Sequence, residues 1–425
     1  MAEKIQRREI GKAIYLSRFT DKRAKFNVVS VNFITPISEE TVSEYSVLAR
    51  VLAHSNSKYP AYDILNNKLS SLYAARLDCN VMTANDVQFI SFTCEYIDNK
   101  YAFDNERVSI EAMNILMSCI FDPIIENGGL SEKITKLECQ SVIDDINSEL
   151  SNKDSYASLR FYETLFEGEP AAISSLGSIS KVKQITPKSL LKAYQRLLTH
   201  CRAEIICAGS SDFEDERKIL SEAFSKLRRE DIFSFASKPS PLKEKPKQVT
   251  DYMPLSQSKL IMGYKTDCKN QPALRLMSDM LGGSPTSKLF VNVREKLSLC
   301  YYCWSYLNCI KGALFVSSGV DKANIEKTAR QIELQISKLK DGDFTDEELE
   351  QIKIYRSNFL RAYNDSVKHM GVWYLIRIYE DDIKAPEDVI EEDKQVTRDE
   401  IIEAAVSLGL DTVYVLTESE KAEEE

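Results

Sequence analysis

Apolar side chains in this 425-residue chain recur with two periods, and the periods arrive in the same order twice. An apolar run from Phe26, FNVVSVNFIT, predicts a β-strand, and a helical pattern follows from Glu39 to Ala53. The stretch SSLYAARLDCNV leads to VQFISFTCEYID, whose alternation is that of a strand with one buried face. An amphipathic helix is expected from Glu106 to Cys119, a charged helix from Leu130 onward, and another helical stretch up to Phe166. ITPKSLLKAYQRLLTHC then reads as a helix and AEIICAG as an apolar strand.

The second half repeats this order. SKLIMGYKT is the strand, QPALRLMSDMLGG the helix, and TSKLFVNVREKLS the counterpart of SSLYAARLDCN. GALFVSSGVD matches the alternating strand, and NIEKTARQIELQISKLKDG the helix after it. FTDEELEQIKIYRSNFLRAYNDS parallels LSEKITKLECQSVIDDINSELSNKDS, and VTRDEIIEAAVSLGL with DTVYVLTES parallels the closing helix and strand. Two anchors agree at an equal offset: Asp154-Ser155 with Asp365-Ser366, and Ile185-Thr186 with Val396-Thr397. In both copies the threonine reads as a helix start. Between the copies, SKPSPLKEKPKQVTDYMP is rich in proline and lysine, so Ala236 to Pro254 is expected as a linker. The expectation is an α+β protein of two homologous halves, residues 1–235 and 255–425, each layering helices on a sheet and able to close face to face as a clamshell.

Composition narrows the function. A length of 425 residues suits two domains, and 43% apolar with 28% charged residues is ordinary for a globular protein. A net charge of −10 argues against gripping a nucleic-acid backbone. The first residues carry charges without an apolar core, unlike a secretory signal, and no apolar run is long enough to span a membrane. Ten cysteines in 425 residues are too sparse for a disulfide scaffold, which points to a reducing cytoplasm. Cys300 and Cys303 form a C-x-x-C, but in an aromatic strand the two thiols should point to opposite faces, as buried reduced side chains.

The stretch with most chemical content is LGGSPTSKLFVNVREKLSLCYY, Leu281 to Tyr302. A glycine turn at Gly282, Gly283 and Ser284 enters a short helix-like segment, then Arg294, then an aromatic strand at Tyr301. On their own these residues fit two readings: an exposed arginine and a packed aromatic, or a guanidinium and a phenol aimed at a developing oxyanion. The three histidines, His54, His200 and His369, have no two members four positions apart, so none forms a helical metal pair. A lone nucleophile at Cys300 or Ser287 has no histidine at a suggestive position.

This order resembles the insulinase/pitrilysin metallopeptidase superfamily, which includes the mitochondrial processing peptidases, and within it a bacterial zinc-less subgroup. The stretches SLYAA, NKDSYA (Asn152 to Ala157) and the glycine turn carry the likeness over the whole chain. The family places an inverted H-x-x-E-H motif on its first helix, with the glutamate as base on zinc-bound water. The turn from Ser55 to Pro60 resembles the one that follows that motif, so the ligand and base positions fall on Ser46, Ala49 and Arg50. The third-ligand position falls on Asp145. The resemblance therefore implies a chain with no metal or cofactor of its own, paired with a homologous zinc-bearing subunit that acts on unfolded peptide. Arg294 and Tyr301 would be lent to the partner's site, and Gly282, Gly283 and Ser284 would line the substrate path. A homodimer in isolation, or a peptide-binding scaffold without catalysis, as in respiratory-complex core subunits, is the other expectation.

Overall fold

The computed structural model describes residues 5–234 and 237–419 and divides into two compact units that interleave along the chain. Over the described residues, the first unit takes the chain up to Ser148, the run from Ile173 to residue 234, and Tyr363–Ile383. The second takes Glu149–Ala172, the run from Ser237 to Ala362, and everything from Lys384 on. Each unit thus contains one segment from the middle of the other's stretch. The expected boundary at residues 235–236, Ala236 included, lies outside the described residues.

The first unit is built on a six-stranded sheet, β1 (Gln6–Gly11), β2 (Ile14–Thr20), β8 (Arg202–Gly209), β3 (Phe26–Pro36), β5 (Val87–Ile97) and β4 (Arg76–Ala84), in that spatial order. Helices α1 (Val42–His54), α2 (Tyr62–Ser71), α3 (Val108–Phe121), α7 (Pro187–His200) and α8 (Glu214–Ser225) join it, with the short α6 (Ile179–Val182) and a two-stranded ribbon, β6 (Ile125–Glu126) and β7 (Gly129–Leu130). Helix α4 (Glu132–Ser151) runs to the boundary of the unit. The second unit repeats the sheet with five strands in the order β11 (Cys300–Asn308), β12 (Ala313–Val320), β10 (Ser258–Lys265), β13 (Gly409–Thr417) and β9 (Lys247–Tyr252). Its helices are α9 (Gln271–Ser278), α10 (Ile325–Lys340), α11 (Asp346–Arg361), α13 (Pro386–Gln395) and α14 (Arg398–Val406). Strand for strand, β4, β5, β3, β8 and β2 correspond to β11, β12, β10, β13 and β9, and the corresponding pairs β8–β2 and β13–β9 are both parallel. The α+β class with two layered, duplicated halves is the architecture found.

The helix-start threonines do the same work in both copies. Thr186 accepts a hydrogen bond from the Ser189 amide at 3.1 Å, and Thr397 from the Glu400 amide at 3.4 Å, each completing a reciprocal capping box. The supposed linker is shorter than expected. Lys247–Tyr252 alternates partly buried and exposed positions and adds to β13 as the edge strand β9. A lysine- and proline-rich tract conceals a strand whose stability comes from its partner rather than from its own propensity.

Strand β5 was expected to bury one face, yet its first six residues are all buried. The reason is the exchanged helix α12 (Val367–Tyr379), which covers the sheet's second face: Tyr379 meets Phe89 and Tyr374 meets Phe19, both at 5.5 Å between ring centroids. Helix α5 (Lys153–Leu165) does the same in the second unit, setting Phe161 and Tyr162 on Phe315. The approach is so close that a Cβ on Gly263 of β10 would stand 2.8 Å from Leu165 and 2.9 Å from Phe161. No helix of the described residues is long and apolar enough to cross a membrane.

Candidate functional site

In the first unit, Ser46, Ala49 and Arg50 lie on α1, whose apolar residues bury it on nearly all sides. Ser46 Oγ lies 2.9 Å from the Val42 carbonyl and 2.8 Å from that of Ser175, so its one proton is committed to backbone. Gln88 Nε2 donates into the same place, 3.2 Å from each carbonyl. Ala49 is fully buried and offers a methyl group. Arg50 donates through Nη1 to Ser141 Oγ at 2.8 Å and through Nη2 to the Asp145 carboxylate. Both partners stand on α4, so the two helices are joined by a guanidinium.

The donor set therefore does not fit zinc. A hydroxyl tied to carbonyls, a methyl and a permanent cation cannot ligate it, and the surviving carboxylate is already occupied by the arginine. One turn further along the same helices, His54 Nδ1 meets Glu138 Oε1 at 2.8 Å and the ring lies tilted against Tyr62, 5.3 Å between centroids. His200 is held by Thr199 and Phe233, and His369 sits in the first turn of α12. Each histidine has its own surroundings, and none joins the Ser46–Arg50 corner. The turn from Ser55 is closed by the Asn56 side chain, which accepts from the amides of Lys58 and Tyr59.

The second unit holds the other candidates. The expected glycine turn is the end of a π-helical stretch, Asp279–Gly283, and the helix-like segment after it, Leu289–Lys296, is also π-helical. Such wide turns are uncommon and concentrate at functional sites. Gly282 and Gly283 both have packing reasons to be glycine. A Cβ on Gly282 would stand 2.6 Å from the Ser305 amide of β11, and one on Gly283 would stand 2.5 Å from Asp279 Oδ1. Ser284 is buried and caps the next turn, its carbonyl accepting from the Ser287 amide at 3.1 Å.

Asp279 is itself clamped. Arg356 of α11 donates to it at 2.8 Å and to Asp393 at 2.7 Å, and Arg275 reaches the same Asp393 at 3.1 Å. Burial pushes the Asp279 carboxyl above its ordinary value, and the Arg356 charge opposes that shift. Sequence reasoning missed this network. Its only signal was charged residues at inward positions of the helical patterns of α9, α11 and α13.

Arg294 is half-exposed, lies over the Phe290 ring at 4.6 Å and approaches Glu295 at 3.6 Å. Tyr301 is 61% exposed and donates its phenol to Asp321 at 3.2 Å. Hydrogen bonding to Asp321 and that residue's charge raise the phenol's pKa, so it stays protonated as a donor at neutral pH. A bulge causes the exposure: Cys300 pairs with Val320 but Tyr302 with Gly319, leaving Tyr301 as the extra residue. The bulge also overturns the expected split of Cys300 and Cys303. It returns both thiols to the helix-facing side, where they contact one another within the core. The Cys303 contact lowers the Cys300 thiol to about 7; the Ser298 amide donates to the Arg294 carbonyl at 3.1 Å, which sets the Arg294 backbone just before the start of β11. Arg294 and the Cys300–Tyr301 bulge thus share one corner of the second unit. None of the ten cysteines is in a disulfide.

A family profile described as "Peptidase M16 inactive domain" matches residues 184–355. The chain is similar to "Probable inactive metalloprotease YmfF" of Bacillus subtilis (strain 168), with 27% identity over 408 residues, 94% of this chain and 95% of that protein. It is similar in structure to a conserved protein from Enterococcus faecalis V583, with a TM-score of 0.90, 24% identity, and coverage of 98% of this chain and 99% of that one. It is also similar to a peptidase M16 inactive domain from Pseudomonas fluorescens, with a TM-score of 0.79, 15% identity and 98% of both chains covered.

Proposed function

We propose that this chain, an inactive M16-family peptidase-like protein, serves as the non-catalytic subunit of a heterodimeric zinc peptidase acting on unfolded peptides. The observation that carries the reading is an asymmetry: the Arg50 guanidinium occupies the corner where water would be activated, while Arg294 and Tyr301 are presented to solvent. Peptide hydrolysis builds negative charge on the scissile carbonyl oxygen. A guanidinium and a protonated phenol placed there stabilise it without any metal in the subunit that supplies them. In a homologous zinc-bearing partner the metal would activate the water, and this chain would supply Arg294 and Tyr301 across the interface. The ten free thiols support a reducing, cytoplasmic setting.

The test is reconstitution with a zinc-bearing sister subunit and a peptidase assay. Arg294→Ala and Tyr301→Phe are each expected to lower kcat/KM by about 10²–10³-fold, the scale of losing one oxyanion donor. Full cleavage by both variants would remove the two residues from the chemistry. A second reading, a peptide-binding scaffold without catalytic contribution, is favoured by the ties of Arg294 to Glu295 and of Tyr301 to Asp321. Under it, both variants would cleave normally while deleting this chain would still weaken peptide capture.

A further inference from the structure

Two cysteines three positions apart cannot normally meet on a strand, because they point to opposite faces of the sheet. The bulge at Tyr301 removes that obstacle. β11 is an edge strand without a charged residue, and past the bulge its register slips by one against β12. Cys300 stands opposite Val320 and Cys303 opposite Ser318, so both thiols turn into the helix-covered core. Trp304 and Tyr306 take the other face, where they form an exposed aromatic margin.

The register also sets how far apart the two cysteines stand. Their partners are two positions apart on β12, and two steps along a strand span about 6.6–6.8 Å. A disulfide accepts Cα separations of about 4.4–6.8 Å, most often about 5.5–6 Å. The pair lies at the far end of that range, close enough to bond and able to do so only with some strain.

The two thiols divide the labour that such a bond requires. The hydrogen bond between them lowers the Cys300 thiol to about 7 and pushes the Cys303 thiol well up, so Cys300 is the thiolate and Cys303 keeps its proton. Elsewhere burial acts in the opposite direction and raises the thiols of Cys79, Cys94, Cys119, Cys201 and Cys207. Cys300 is the first residue of β11 and keeps 9% of its surface exposed, an opening suited to a small oxidant.

We propose that Cys300 and Cys303 are a reversible thiol–disulfide couple, oxidised by hydrogen peroxide and closing across the Tyr301 bulge. The Cys300 thiolate attacks one peroxide oxygen and breaks the O–O bond. Cys300 becomes a sulfenic acid, and the departing hydroxide takes a proton to leave as water. Cys303 then gives up its proton and attacks the Cys300 sulfur, forming the S–S bond and expelling the sulfenic oxygen as a second water. Two electrons pass from the sulfurs to the peroxide. A dithiol reverses the reaction by exchange, and strain at the far end of the bonding range favours that return. A reducing setting keeps the couple open at rest. The inference stands on the bulge and its thiols and is independent of the peptidase reading above.

The experiment treats the folded, fully reduced chain with hydrogen peroxide at pH 7, blocks the remaining thiols by alkylation and maps them by mass spectrometry. Two thiols are expected to disappear, at Cys300 and Cys303, with a mass loss of two hydrogens that dithiothreitol restores. Cys303→Ser should stop at a sulfenic acid on Cys300, trapped by dimedone. In Cys300→Ser, Cys303 should react at least about tenfold more slowly, since a protonated thiol is not the nucleophile. A melting curve checks that both variants are folded, and if either is not, the wild-type map decides alone. Unreacted thiols at both positions would overturn the proposal, as would a bond from Cys300 to any other cysteine. Wild-type Cys300 passing on to a sulfinic acid beside an intact Cys303 would show the spacing to be too long and sink it. A bond that forms only in urea would do the same.

Discussion

The α1–α4 corner of the first unit and the β11 corner of the second stand on corresponding parts of one duplicated plan, yet their charges are used in opposite ways. In the first, Arg50 is joined to Ser141 and Asp145 and the polar atoms of Ser46 and Gln88 are turned to backbone carbonyls. The guanidinium and the hydroxyl are thereby committed, and Gln88 Oε1 is buried without a partner. In the second, charge is spent behind the site, in the Arg356–Asp279–Asp393 clamp, while Arg294, Tyr301 and the aromatic margin face outward. A corner whose hydrogen-bonding capacity is satisfied internally is structural. One that is rigid behind keeps its outward side chains exposed, tied only to neighbours on the surface.

That contrast can be broken first at the clamp. Arg356→Ala leaves Asp279 without its cation and Asp393 with Arg275 alone, and a loss of about 3–5 kcal/mol is expected in denaturant unfolding. A loss below about 1 kcal/mol would mean that the clamp is not what stiffens the glycine turn. Gly282→Ala comes next. Its methyl group would meet the Ser305 amide of β11, and overpacking of this kind costs about 1–3 kcal/mol, read as a lowered melting temperature.

A pH-dependent effect separates the second unit's interior from its surface. The Lys265 ammonium lies 4.2 Å from the Phe166 ring centre, has no hydrogen-bond partner, and is lowered by burial to about 8 from 10.5. The unfolded chain then holds the proton more tightly than the folded one. Stability should therefore rise as pH goes from about 8 to about 10.5, with the penalty fully present below that window. Lys265→Met should flatten the rise, and an unchanged profile in that variant would assign it to another group. The smallest effect is expected at Arg50→Ala. Asp145 is half-exposed and can be hydrated, so the lost pair should cost only about 0.2–1 kcal/mol. A large destabilisation there would mean that the arginine holds α1 and α4 together as firmly as a metal would, and would sharpen the view of that corner as structural.

Much of the fold was legible because the duplication is written in patterns with local causes. Thr186 and Thr397 announce helices through their own side chains, and SKLIMGYKT announces β10; β12, expected as an alternating strand, is buried throughout. The chemistry of Ser46, Ala49 and Arg50, a hydroxyl, a methyl group and a permanent cation, was legible too, since it goes with residue identity. The Tyr301 bulge was not. It arises from the register between β11 and β12, and it reversed the expected disposition of Cys300 and Cys303. β9 was missed because a strand within a lysine-rich tract is held by β13, not by its own composition.

The sequence by itself determined the repeated order of strands and helices, the helix starts and the lack of zinc-ligating chemistry at Ser46, Ala49 and Arg50, because each depends on residue identity and on neighbours a few positions away. Only the tertiary structure decided that α5 and α12 are exchanged between the units, that Arg50 seals Asp145, and that β11 is the uncharged edge. These depend on which distant surfaces meet, and a helix with an apolar face carries no mark of the sheet it will cover.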